Sequence, residues 1–243
     1  MRSFLFTVIL LLAGLLVQAQ FSDSLTQYAR FAASGNLNRS NGNNSYLLTN
    51  EAHYSIRNRR TTFNAAASWL YGEQGSDLTN NDFTTTADFN LYRDSSRLYY
   101  WALANYTTSY SLKINNQLQG GLGAAYNFVN TNNAWLNLSE GILYETSSLN
   151  TTEPKADNYH TLRNSFRLSY RFLVKNAVTI NGSNFLQQAL GNGSDYIIRS
   201  SNSLGIKLNK WVSLSTTVSY NQFSRTGTEN LLFTYGLVAE KYF

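Results

Sequence analysis

The chain has 243 residues, of which 14% are charged, with a formal net charge of +5 and no cysteine. Soluble domains carry roughly 25% charged residues, whereas this chain is poor in charge and rich in strand-forming aromatics, with 17 Tyr and 14 Phe. The lack of cysteine excludes a disulfide framework, and the modest charge, interleaved with apolar residues, gives no support for nucleic-acid binding.

The first predicted element is a cleaved signal peptide over residues 1–19. The segment "MRSFLFTVILLLAGLLVQAQ" has a positive charge at its second position, then an apolar run, then Val-Gln-Ala before Gln20. This order is typical of a secretory signal, and the run is short for a membrane-spanning helix. The sequence therefore predicts export, with a short lead over 20–26 before the first strand.

Alternation of apolar and polar residues from Tyr28 onward predicts an all-β chain. The strands are about 11 to 15 residues long, whereas soluble strands average about five or six and a tilted bilayer-crossing strand needs roughly 9–11. We therefore predict a transmembrane antiparallel up-and-down β-barrel over 27–243, of about 12 strands, with both termini in the periplasm. The predicted strands are 27–38, 45–57, 61–72, 82–92, 97–109, 116–129, 134–145, 160–174, 177–188, 195–208, 211–223 and 231–243.

The predicted connections alternate in length. Five are short ("NRR", "RDSS", "NTNN", "KN" and "NK"), and the six between them are mostly longer, up to "TSSLNTTEPKADNY" at 146–159. Short periplasmic turns and longer extracellular loops are typical of outer-membrane barrels. Trp101, Trp135 and Trp211 follow short turns closely, and we expect them to contribute to a periplasmic aromatic girdle.

The last strand, "LLFTYGLVAEKYF", alternates apolar residues with polar or small ones and ends on an aromatic residue. It must pair with the first strand, because an open sheet edge cannot lie in lipid. Phe233, Tyr235 and Phe243 resemble the C-terminal signature that barrel-insertion machinery reads. The expected partners are therefore this machinery and outer-membrane lipid.

Two stretches carry a more specific pattern. One is "ASGNLNRS" at 33–40; the other is the region 96–128 followed by "GILYETS" at 141–147. The second has the order basic-aromatic strand, polar loop, Gln-x-x-x-Gly-x-Gly strand and Gly-x-x-Tyr strand. In this order the chain resembles the salt-induced outer membrane protein family, also catalogued as domain of unknown function 481. The resemblance covers nearly the whole mature chain and implies a Gram-negative-type outer membrane, a structural or envelope-stress role and no established reaction.

Strand parity predicts which charged residues face the lumen. Arg163, Arg167 and Arg171 alternate with apolar residues, and an Arg on the lipid side at mid-membrane costs about 2–4 kcal/mol. We therefore expect all three to face inward, together with other charges of the same parity. The expected inward set is basic at Arg30, Arg163, Arg167, Arg171, Arg199 and Lys207, and acidic at Glu51, Asp88 and Glu240.

The sequence does not settle which side of the barrel wall Glu140 and the residues of strand 97–109 face. Glu140 shares its parity with apolar neighbours such as Leu138 and Ile142, and a β-bulge near Ser139 would turn it inward. The parity of strand 97–109 stays open.

Three functions remain open. The first is the structural or envelope-stress role, in which inward carboxylates pair with the arginines and plug the lumen. The second is a small channel with an Arg-lined lumen that prefers anions. The third and weakest is an outer-membrane enzyme, for which His53 with Ser55, or His160 beside Asp157, are the only candidates. No nucleophile, metal-ligand spacing or phosphate loop is marked, so we expect no catalytic site, metal or cofactor.

Overall fold

A computed structural model of the protein describes residues 26–40, 43–93, 97–150 and 157–242. Within these residues the chain forms twelve antiparallel strands in one closed barrel, in which each strand pairs with its neighbours in sequence and β1 pairs with β12. The prediction of an all-β up-and-down barrel is therefore confirmed. The predicted signal peptide and Phe243 lie outside the described residues. The strands are β1 Gln27–Ser40, β2 Asn43–Arg57, β3 Thr61–Gln74, β4 Asp77–Tyr92, β5 Leu98–Ser109, β6 Ile114–Asn130, β7 Ala134–Leu149, β8 Asp157–Val174, β9 Val178–Ala189, β10 Asn192–Lys207, β11 Val212–Phe223 and β12 Thr228–Tyr242.

The barrel closes where its first and last strands meet. The β1–β12 register runs from Tyr28 opposite Tyr242 to Ser34 opposite Gly236, so the terminal strand leaves no free edge in lipid. Gln27 and Tyr242 lie at the same end as the five connections β2–β3 to β10–β11. We call this the termini end, and the opposite end the mouth.

The outer face is apolar. Residues directly opposite in the register share a face, and the exposed large hydrophobic side chains alternate with the inward residues along each strand. Such an apolar outer band, with its backbone paired inside the sheet, suits a bilayer. Among the described residues no helix is long and apolar enough to cross a membrane. Exposed outward side chains include Phe31, Leu48, Phe63, Phe89, Tyr100, Leu122, Ile142, Phe166, Ile180, Leu204, Val218 and Leu237.

The mouth-end connections are shorter than predicted. β3 and β4 are joined by two residues, as are β9 and β10, and four residues join β11 to β12. The prediction of mostly longer loops on this side was wrong here, because polar segments such as "GNGS" continue the backbone ladder beyond the apolar band. At the other end, Lys175 and Asn176 both have positive φ (49° and 55°), which is the turn that a two-residue "KN" hairpin favours.

The parity of β5 is resolved by its contacts. Tyr99 and Trp101 are buried inside the barrel, whereas Tyr100 is exposed outside it. The Trp101 indole N–H donates to the Ala124 carbonyl at 3.2 Å, and that of Trp135 donates to Asn127 Oδ1 at 2.9 Å. The expectation that Trp101 and Trp135 belong to an outer girdle was therefore wrong, because both lie on the inward parity of their strands.

Glu140 is not turned inward. β7 pairs with β8 without a register shift from Ala134 to Leu149, so the expected bulge near Ser139 does not form. Gly141 lies directly opposite Gly123 of β6, and this close pairing keeps the strands in regular register beside Glu140. The carboxylate therefore stays on the outer face, exposed, where Asn164 Nδ2 donates to it at 3.3 Å.

Candidate functional site: a filled lumen beneath a closed mouth

The charged residues expected in the lumen lie on the inward face of their strands, except that the Glu240 side chain is outside the described part of the structure. Arg30 is opposite His53 of β2 and opposite Glu240 of β12 in the register, and its guanidinium lies 3.2 Å from the Glu51 carboxylate. Asp88 accepts hydrogen bonds from two amides, those of Asn64 and Asn90, at 2.8 and 2.7 Å. Lys207 lies at the last position of β10, at the termini end.

A buried ion cluster occupies the lumen between β7, β8 and β10. Arg163 Nε and Nη2 donate to the two oxygens of Glu145 at 2.8 and 3.0 Å. Its Nη1 donates to Asp195 Oδ1 at 2.8 Å, and Arg225 Nε donates to the other Asp195 oxygen at 2.6 Å. The side chains of Arg163 and Glu145 are 0% exposed. Two guanidinium groups thus balance two carboxylates; Arg163, Glu145 and Asp195 are buried, whereas the Arg225 side chain is 31% exposed.

Polar side chains complete the hydrogen bonding of Glu145. Gln119 donates to its Oε2 and Tyr159 to its Oε1, each at 2.5 Å. The Arg225 guanidinium lies 3.7 Å above the centre of the Tyr159 ring, a cation–π contact that adds to the ion pair. Fully satisfied polar networks of this kind rigidify the interior of a protein.

Other contacts cross the lumen. Arg199 Nη2 donates to Gln117 Oε1 at 2.6 Å, although β10 and β6 lie four strands apart around the wall. Gln119 of β6 also donates to Gln187 of β9 at 2.9 Å. Since Gln117, Gln119 and Gln187 are all buried, side chains fill the barrel at this level.

The turn between β5 and β6 closes the mouth. Asp82 of β4 accepts hydrogen bonds from the Ser109 hydroxyl (2.8 Å) and from the Ser111 hydroxyl (2.6 Å). This holds the turn inward, where the Leu112 carbonyl accepts from Thr228 at 3.2 Å and Ser111 accepts from Asn230 at 3.1 Å. β12 lies six strands from β6, so the turn reaches the opposite wall. Leu112 packs there in a buried apolar cluster with Ile114, Leu149, Ile197 and Phe223.

The termini end is more open. Arg171 is exposed on the inward face, and Arg167 lies 5.6 Å above the Phe185 ring. Arg167 Nε has no hydrogen-bond partner, and within the described ranges no carboxylate lies at ion-pair distance from either arginine. Among the described residues, two arginines without a carboxylate at ion-pair distance therefore lie towards this end.

The two histidines lie on opposite faces of the barrel wall. His53 and Ser55 both face inward, and His53 packs on the Tyr28 ring at 5.6 Å. His160 lies on the outward parity of β8 while Asp157 lies on the inward parity and approaches Arg225 at 3.5 Å, so Asp157 does not orient His160. Over the described part of the chain, no group of three His, Asp or Glu residues could hold a metal ion.

Comparison with known proteins agrees with the barrel. The family model "Protein of unknown function, DUF481" matches residues 29–236. The chain belongs to this family. Its fold is similar to that of the COG4313 outer membrane channel from Pseudomonas putida F1, with a TM-score of 0.51, 12% identity, and 94% of this chain and 100% of that chain covered.

A second similar structure is the translocator domain of the autotransporter NalP from Neisseria meningitidis. Its TM-score is 0.50, with 12% identity and 90% of each chain covered. No curated protein matches this chain. At these identities the likeness shows the shared fold alone, that of a β-barrel in the outer membrane.

The glycines of the family-like motif shape the packed interior of this family member. Gly121, Gly123 and Gly141 lie on the inward parity, with Gln117 of the same motif in the cross-lumen contact. A Cβ on Gly123 or on Gly141 would lie 2.5 Å from the Trp101 ring. The glycines therefore leave the space that the indole fills.

Three residues of the ion cluster were missed in the sequence: Glu145, Asp195 and Arg225. Glu145 and Asp195 are the last and first residues of the predicted strands 134–145 and 195–208, and neither was assigned to the lumen. Both strands extend further, to Leu149 and back to Asn192. Parity was the available signal, since Glu145 continues the inward series through Gly141 and Leu143.

Proposed function

We propose that this protein is an occluded barrel with a structural role in the outer membrane, and that it is neither an open channel nor an enzyme. The observation that carries this proposal is the full burial of Arg163 between Glu145 and Asp195. A lumen that attracts anions needs positive charge that a solute can reach. The charge of Arg163 is instead neutralised by carboxylates of the protein, beneath a mouth closed by Leu112.

Electrostatics favour a permanent closure. Breaking a buried ion pair leaves an uncompensated buried charge, which costs about 3–5 kcal/mol. Opening a pore past Arg163 would break its contacts with both Glu145 and Asp195. A side-chain plug of this kind strengthens the barrel wall, which suits a structural or envelope-stress role.

The channel alternative keeps one supporting observation. Arg171 is exposed inside the termini end, and Arg167 lies near it without a described carboxylate partner. Small anions could enter the lumen at the termini end, but passage would require the 110–113 turn to leave the mouth.

Insertion machinery is a further proposed partner, supported by the outward exposure of Phe233 and Tyr235; Phe243 is outside the described residues.

Planar-bilayer conductance tests the proposal. We expect no steady conductance from the wild-type protein. The triple variant Asp82→Ala, Leu112→Ala, Arg163→Gln removes the anchor and the apolar contact of the mouth turn together with the centre of the buried ion cluster, and we expect it to conduct in discrete steps. Leu122→Ala, on the outer face, is the matched control and should stay silent.

Steady wild-type steps would contradict the proposal. In particular, an anion-selective reversal potential that Arg171→Gln abolishes would establish the channel alternative, with selectivity that weakens as salt screens the charge.

A further inference from the structure

An acidic side chain faces lipid at the middle of the outer wall. Glu140 is exposed on β7, with Leu138 and Ile142 on either side of it along the same face. Its described hydrogen bond is the 3.3 Å contact from Asn164, which leaves other acceptor positions of the carboxyl group open. Ionisable residues within a membrane are costly and usually functional, so Glu140 needs a further partner.

A hydrogen-bond donor lies on the same wall. Asn184 of β9 faces outward beside Leu186, which is 48% exposed. Its Oδ1 accepts from Ser200 at 2.6 Å and its Nδ2 donates to Asn202 at 3.3 Å. An amide nitrogen carries two N–H groups, so one N–H of Asn184 remains for a group outside the described contacts.

The acceptor and the donor lie the same number of residues from the termini end, on either side of β8. Counted from the residue at which each strand meets the termini end, Glu140, Leu168 and Asn184 are each six residues along their strands. Leu168 is directly opposite Leu138 of β7 and opposite Asn184 of β9. Glu140 lies two residues further along β7 than Leu138, so the wall β7–β9 presents an acceptor, an apolar centre and a donor that are each six residues from the termini end.

We propose that this wall is the interface of a homodimer in the membrane. A two-fold axis along the membrane normal, passing over Leu168, brings β7 of one copy opposite β9 of the other. The Glu140 carboxyl group then accepts the free N–H of Asn184 of the partner subunit, and the reciprocal contact forms on the other side of the axis. A surface that carries both halves of its own contact is what an isologous interface requires.

A lipid headgroup fits this site less well than a second copy. Headgroups lie at the membrane surface, whereas Glu140 is flanked by apolar residues in both directions along β7. Lipid phosphates also carry the same sign of charge as a carboxylate, and acyl chains offer no hydrogen bonds. The partner subunit supplies a neutral donor at the correct height.

Disulfide cross-linking in lipid vesicles tests the proposal. The chain contains no cysteine, so a single L168C substitution reports on the axis without background. We expect oxidation to give a cross-linked dimer with L168C. The control L48C lies on the outer face of β2, six strands from β8, and should stay monomeric.

Substitutions of the two polar residues then test the proposed contact. In the L168C background, Glu140→Leu and Asn184→Leu should each reduce the dimer about tenfold, whereas Glu140→Gln, which keeps an acceptor, should retain it. Folding is checked by the different migration of unheated and boiled samples. Equal cross-linking of L168C and L48C, an unchanged dimer in both leucine variants, or a lipid-bound monomer in native mass spectrometry would overturn the proposal.

Discussion

Arg163 holds three charge-assisted hydrogen bonds with Glu145 and Asp195, at 2.8 to 3.0 Å. Such bonds are about twice as strong as neutral ones, and here they repay the removal of three charges from water. The stability of the arrangement depends on all partners being present, because each one left alone is a buried charge. Arg171, on the same strand, is exposed, so its charge does not need a protein partner in the same way.

Replacing Arg163 should therefore destabilise the barrel far more than replacing Arg171. We expect Arg163→Gln to lower the free energy of unfolding by about 3–5 kcal/mol and Arg171→Gln to change it by less than about 0.5 kcal/mol. Urea titration in detergent, followed by tryptophan fluorescence, measures both. Equal effects of the two variants would show that the buried cluster does not stabilise the lumen.

Parity alone could place the arginines, because an Arg facing lipid is costly enough to decide the face of a whole strand. It could not assign their partners. Glu145 and Asp195 come from strands on two sides of Arg163, and contacts across a lumen depend on barrel closure rather than on any local pattern. The outward Glu140 was misjudged for the opposite reason, since a charge in lipid was assumed to require a bulge.

At the scale of elements, the alternation of apolar and polar residues predicts the twelve strands, but it does not predict where they end on the mouth side. Polar residues such as those of "GNGS" resemble a loop in composition, yet they continue the hydrogen-bond ladder above the membrane. The inward glycines of β6 and β7 determine how the interior packs beside these two strands. They allow the two strands to approach and the Trp101 ring to cover them, which pattern reading could not foresee while the parity of β5 was open.

Adjacent glycines of β6 should respond oppositely to substitution. A Cβ on Gly121 would lie 2.1 Å from the Ile142 carbonyl oxygen, whereas on Gly120 the nearest atom is 3.9 Å away. We expect Gly121→Ala to destabilise the barrel by about 1–3 kcal/mol through overpacking, and Gly120→Ala to be tolerated. Urea midpoints of the two variants decide this, and similar midpoints would contradict the assigned faces of β6.

At the scale of the whole molecule, the barrel is uneven around its circumference. The wall from β5 to β8 carries large or hydrogen-bonded inward side chains that are buried along much of its length, such as Trp101, Asn137 and Ser165. The wall formed by β11, β12 and β1 has small inward residues, among them Ala32 and Ser215. Barrels of eight strands are filled by side chains and those of 16 or more leave a channel, so strand count could not decide the state of twelve. The cross-lumen contacts and the mouth turn support the occluded state that we propose.

Thiol labelling of the folded protein tests the occluded lumen most directly. Ser165 and Ser201 both face inward, but Ser165 is 4% exposed, whereas Ser201, six residues from the end of β10 at the termini end, is exposed. In detergent, where both ends of the barrel are accessible, a polar maleimide should label S201C rapidly and S165C only after unfolding by heat. Labelling of S165C at the rate of S201C in the folded protein would show an open lumen and contradict the account.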